Sequence, residues 1–161
     1  MMPEKSGRSS TRRTRPEETF DLTATIERVE QTYYLSENRG HKDPVGDEAI
    51  IDITGTISMI SPAYKQHHGR EIEVSVIRAR SFTDDGPTPI TDKPFLLTVN
   101  LRKNRCSAMA YIPADAFWAL PGMISSGAVT HIMVRFDKPW RGTATLLSLY
   151  FAPLSKIEAL P

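Results

Sequence analysis

The stretch IDITGTISMI, residues 51–60, decides the fold. Ile51, Ile53, Ile57 and Met59 alternate with Asp52, Thr54, Thr56 and Ser58. That is the period of a strand with one face buried and one facing water. Gly55 takes an inward position in this phase. Glycine weakens a strand interior, so there it marks a bulge, a sharp bend or a close approach of another backbone. A strand built to bend belongs to a curved sheet.

The next run, EIEVSVIRAR at 71–80, starts with Ile72, Val74 and Val76 inward. Its phase then flips, because Ile77 and Ala79 are apolar while Arg78 and Arg80 are charged. One inserted residue near Val76–Ile77 restores the alternation, so a bulge is expected there. Upstream, Phe20, Leu22, Ala24 and Ile26 alternate with Asp21, Thr23, Thr25 and Glu27. A helical stripe through Leu22, Ile26, Val29 and Tyr33 also fits, but the threonines favour a strand over 20–34. A polar loop is expected from Ser36 to Glu48 and a second long one over 81–93.

Phe95 to Leu101 and Cys106 to Ile112 form a hairpin about Lys103-Asn104, with Cys106, Ala108 and Ala110 as a small-residue face on the return strand. A helix is expected from Pro113 to about Ser125. Proline suits its first position, Asp115 complements its dipole, and Phe117, Leu120 and Ile124 share one stripe. Pro121 should kink it or end it early. Two strands follow, Ala128 to Phe136 and Thr143 to Phe151. The last is apolar on both faces, with Leu146 and Tyr150 on one and Leu147, Leu149 and Phe151 on the other. Its second face must be covered by the helix, by the N-terminal strand or by another subunit in a homodimer, internal cover being favoured. All twelve prolines fall outside or at the edges of these strands, and of nine glycines only Gly55 lies inside one.

The fold expected is mainly β: an antiparallel curved barrel or sandwich of about six to seven strands, with one short helix before the last two. The element order parallels a five-stranded OB barrel, which also has a long bent first strand and a helix before its last two strands. Here there is at least one strand more and no aromatic-rich face.

Residues 1–18 lack large apolar side chains beyond the two initial methionines, so they read as a disordered basic tail ahead of a single β-rich domain over 19–161. Within the tail, residues 1–15 hold Lys5, Arg8, Arg12, Arg13 and Arg15 against Glu4 alone, which leaves the remaining chain acidic although the whole is +1. It is either an arm for phosphates or an acidic partner, or a solvated terminus, the second being favoured. One cysteine and no apolar run near the roughly 20 residues of a membrane span point to a cytoplasmic protein with no membrane partner.

Chemistry-bearing residues are sparse. His67 and His68 are adjacent, so their side chains should diverge, and no cysteine or carboxylate pair accompanies them at metal-ligand spacing. His131 fits a structural histidine on a half-buried strand, Cys106 a core thiol, and His41 takes no role. Asp84-Asp85, and Asp43 with Asp47 and Glu48, fit turn chemistry. No nucleotide fingerprint, nucleophile elbow or cofactor motif is present. One constellation remains. Arg102, Lys103 and Arg105 occupy one hairpin tip, and Lys138, Trp140 and Arg141 another. If both tips leave the barrel at one end, they make a basic patch with an indole suited to stacking a base. Otherwise the tips are merely polar and Trp140 caps the barrel. The expectation is a non-catalytic binding or assembly module. The alternatives are single-stranded nucleic-acid binding through the tips, and a small enzyme whose site assembles only in the fold.

Overall fold

The computed structural model describes residues 17–37, 45–79 and 96–161. Its strands are β1 (Thr19–Glu37), β2 (Val45–Ile60), β3 (Glu71–Ala79), β4 (Leu96–Leu101), β5 (Cys106–Pro113), β6 (His131–Asp137) and β7 (Thr143–Ala152). They close into a barrel in the order β1-β2-β3-β5-β4-β7-β6, and β6 returns to β1. The barrel is mixed. Every neighbouring pair is antiparallel except β3 with β5, because the β4–β5 hairpin presents its second strand to β3. The seven strands exceed the five of an OB barrel.

Inward alternation fills the interior with Leu22, Ile51, Ile53, Ile57, Val74, Val76, Ile132, Val134, Phe136 and Leu146, all almost wholly buried. Each such side chain contributes about 1.5–3 kcal/mol on burial. The helix α1 (Ala114–Ser125) follows β5 directly and sends Phe117 and Leu120 into this core, with Ile124 packed against it. Pro121 does not end α1 early: buried Phe117 and Leu120 before it and half-buried Ile124 after it all pack on the barrel core. At the opposite end, a short 3-10 segment (Pro62–His67) connects β2 to β3. Its Tyr64 stacks edge-on against Phe20, ring centroids 4.9 Å apart, and also meets Phe136. That segment and a C-terminal helix, α2 (Leu154–Glu158), are too short to show a period, so the apolar pattern does not announce them.

Residues 20–34 are strand, within β1. At Gly55 two of the expected features coincide. β1 carries an extra residue, Glu27, opposite the Gly55–Thr54 step, and a Cβ on Gly55 would lie 2.4 Å from the Thr25 carbonyl oxygen. A second bulge, at Ser58, turns Met59 outward instead of inward, leaving it 40% exposed.

The bulge expected at Val76–Ile77 is absent: β3 pairs without interruption with both β2 and β5. Val76 faces the core, while Ile77 is buried on the outer face between Ile50 and Tyr111. Conversely, β7 has a bulge where none was expected. Phe136 opposes Leu146 and Arg135 opposes Ser148, so Leu147 is the extra residue. Leu146 is therefore inward before it, and Leu149 and Phe151 pack on the core after it. Leu146, Leu149 and Phe151 thus share one inward face across a phase shift, while Leu147 and Tyr150 point outward, 37% and 39% exposed. On the outer wall, Ile157 of α2 is buried beside Thr23 and Met133.

Two boundaries also differ from expectation. β2 begins at Val45 and so includes Gly46, and β6 begins at His131, with Val129 N–H bonded to the Met123 carbonyl ahead of it. The expected basic tail up to residue 16, most of the loop expected at 36–48 and the whole of the one expected at 81–93 lie outside the described residues, with His41, Asp43, Asp84 and Asp85. Among the described residues no helix is long and apolar enough to cross a membrane.

Candidate functional site

The two hairpin tips do leave the barrel at the same end, and they touch. β4 and β6 both finish there, and β5 and β7 both start there. The Leu101 N–H donates to the Gly142 carbonyl at 2.7 Å, and Thr143 Oγ1 donates to Asn100 Oδ1 at 2.9 Å. Arg102 Cγ lies 3.2 Å from where a Cβ on Gly142 would sit. Arg102, Lys103, Arg105, Lys138, Trp140 and Arg141 are all exposed at this one end.

Each tip is a tight turn. Arg102 and Arg105 exchange backbone hydrogen bonds of 3.1 and 3.3 Å, leaving Lys103-Asn104 at the apex. Trp140 and Thr143 exchange bonds of 2.8 and 3.0 Å around Arg141-Gly142. Both central residues there have positive φ, 50° at Arg141 and 83° at Gly142, as a two-residue hairpin turn of matching twist requires. Glycine adopts that conformation at no steric cost, whereas at Arg141 the left-handed region costs about 1–2 kcal/mol. The strain places a guanidinium beside the indole: Arg141 lies 5.7 Å from the Trp140 ring centroid.

Trp140 is 76% exposed, so it does not cap the barrel. Tyr64 and His67 of the 3-10 segment lie inward at that end instead. Of the tip cations, Arg105 is committed to Glu73 through a 2.6 Å ion pair. Arg102, Lys103, Lys138 and Arg141 are exposed at the same end as an indole open to water, with Arg141 nearest its ring.

Beneath the tips lies a buried group. His67 points inward while its neighbour His68 turns out to the Ser58 carbonyl, at 3.0 Å from Nε2, so the two diverge as expected. His67 Nδ1 faces Cys106 Sγ at 3.6 Å and Arg70 Nη1 at 3.3 Å. A guanidinium only donates, so Nδ1 carries the lone pair and the ring proton sits on Nε2. Burial, then the Arg70 charge, pushes the His67 pKa down; burial pushes the Cys106 thiol up, with Arg70 opposing. Both shifts favour the uncharged forms, opposite to the thiolate–imidazolium character of a nucleophilic cysteine. His131 is bonded at both nitrogens, to Thr25 Oγ1 at 3.2 Å and Thr130 Oγ1 at 2.8 Å.

An open cleft of about 370 Å³ lies on the outer wall, between α2 and the strands carrying Asp21, Met59 and Arg135. Arg135 and Asp21 satisfy each other through bonds of 2.7 and 3.1 Å, and neither Cys106 nor His131 lines the cleft. Among the described residues no group of three His, Cys, Asp or Glu could hold a metal ion. The sequence offered no signal for Arg70 or for the His67–Cys106 contact, because both depend on segments brought together across the barrel end. Set against protein-family models, curated proteins and solved structures, the chain matches none of them.

Proposed function

We propose that the protein is a binding module that holds single-stranded nucleic acid at the hairpin-tip end of its barrel, without covalent chemistry. The exposed Trp140 among the cations of two touching turns is the observation that carries it. An indole open to water offers a stacking face for an unpaired base, worth about 1–3 kcal/mol per base. A paired base keeps its faces within the duplex stack, so the chemistry favours a single strand. Arg102, Lys103, Lys138 and Arg141 can neutralise phosphates on either side of the stacked base. Beyond residue 15 the chain is net acidic, which disfavours a polyanion elsewhere on the surface.

The test is anisotropy of a labelled 12-nucleotide single strand, titrated with the protein between 50 and 200 mM salt. If each of those four cations neutralises one phosphate, log affinity falls against log salt with a slope of about −3. Binding should quench the Trp140 fluorescence. Absent binding, or binding indifferent to both salt and Trp140→Ala, rejects the proposal.

A further inference from the structure

Arg70 precedes β3 and lies 32 and 33 positions from the two residues whose backbone it holds. Its Nη1 donates to the Arg102 carbonyl at 3.2 Å, and its Nη2 donates to the Lys103 carbonyl. Its own backbone is fixed from both sides: the N–H donates to the His67 carbonyl at 3.2 Å, and the carbonyl accepts from Ile57 N–H at 2.8 Å. His67, only 5% exposed, backs the guanidinium through Nδ1. A planar fork thus spans two successive carbonyls of the β4–β5 turn while a buried imidazole fixes its plane.

The charge balance makes this arrangement informative. Arg70 is a further cation beneath a turn that already carries Arg102, Lys103 and Arg105, and like charges so gathered repel. Glu73 offsets Arg105 through its ion pair. A neutral amide could donate to these carbonyls without adding to the repulsion. The fork can hold two carbonyls at a fixed angle; a lysine ammonium is a point charge on a flexible stem and does not set that plane.

We infer that Arg70 is the positioning residue of the tip surface, keying the β4–β5 turn so that Arg102 and Lys103 present their charges alongside Trp140. The inference rests on the tips being the contact surface, and it is tested by a readout that does not need nucleic acid. Trypsin under native conditions cuts after Lys103 and Arg105 only if the turn opens. Both R70K and R70M should be cut there at least about tenfold faster than the natural protein, with cleavage elsewhere unchanged. For a labelled single strand, R70K should lose about as much affinity as R70M, roughly tenfold, although it keeps the charge. The salt slope should shrink by about 1.4 in both, because two phosphates are no longer neutralised. If R70K keeps natural affinity and slope, Arg70 acts only as a charge and the inference is overturned. It is also overturned if neither variant is cut faster. Faster cleavage in both variants, in a protein that binds no oligonucleotide, upholds Arg70 as the key of the turn and rejects the nucleic-acid proposal alone.

Discussion

The barrel carries a tryptophan–arginine pair at each end, and the two are built differently. At the α1 end, Arg78 lies 5.8 Å from the Trp118 ring, but it also forms an ion pair with Asp47, and Trp118 leans edge-on against Phe117 at 4.9 Å. Its charge is balanced and its ring is half covered. At the tip end, Arg141 and Trp140 stand on a strained turn and the ring is 76% exposed; the end carries Arg102, Lys103 and Lys138, with Glu73 paired to Arg105 and Asp137 bonded to the Thr145 N–H. The same two residue types serve packing where a carboxylate and a core phenyl accompany them. They make a candidate contact surface where the ring stands open to water.

The largest effect that could break this comparison belongs to the plug of the α1 end. Phe117→Ala should cost about 3–5 kcal/mol of stability, measured by urea unfolding, because it empties a fully buried ring from the core. Oligonucleotide affinity of the folded variant should stay unchanged; a loss there would mean that the α1 end belongs to the binding surface. Trp140→Ala should show the reverse: a loss of about 1–3 kcal/mol in single-strand binding, with unfolding free energy within about 0.5 kcal/mol of the natural protein. Trp118→Ala is its partner control, and equal losses of affinity from the two tryptophans would erase the distinction.

Acid should act on the tip end through His67. Its folded pKa lies below the ordinary 6.5, so the unfolded chain binds the proton first. The stability it supports is complete above about 6.5 and is lost as the pH falls from there through the depressed folded value. Thermal unfolding followed from pH 7.5 down to 5 should show this decline, and His67→Gln, whose amide oxygen can still accept from Arg70, should flatten it. The smallest effect is expected at Arg141. Asparagine tolerates the left-handed region better, so Arg141→Asn should raise stability by about 0.5 kcal/mol while weakening salt-dependent binding. A gain in stability with no loss of binding would leave the strain at Arg141 without a role in the proposed contact.

Much of the architecture was legible because it is written in local periods. The alternation at 51–59 and the stripe of Phe117, Leu120 and Ile124 each name their element within a dozen residues, and both elements are present. The bulges were harder. An apolar doublet at Val76–Ile77 and the doubly apolar β7 look alike in sequence. The first reflects an outer face that is buried, the second an extra residue at Leu147. Only the pairing partner distinguishes them. The parallel β3–β5 contact was illegible for a similar reason: it depends on which edge the β4–β5 hairpin presents.

For the site, the residue types at the two tips could be read directly, since turn residues and cations announce hairpin ends. Their meeting could not, because it follows from β4 and β7 becoming neighbours, strands separated by a hairpin return, a helix and β6. Arg70 was invisible as well, since its carbonyl partners lie more than thirty residues away. The sequence by itself determined the curved β scaffold, the place of helix α1 and the charge of its turns, because side-chain period and turn chemistry act over a few residues. Tertiary closure alone decided that the two basic tips form one surface, that Trp140 stays open to water, and that Arg70 and His67 lie beneath it. Those depend on strand order and register, which are settled by long-range pairing across the whole barrel.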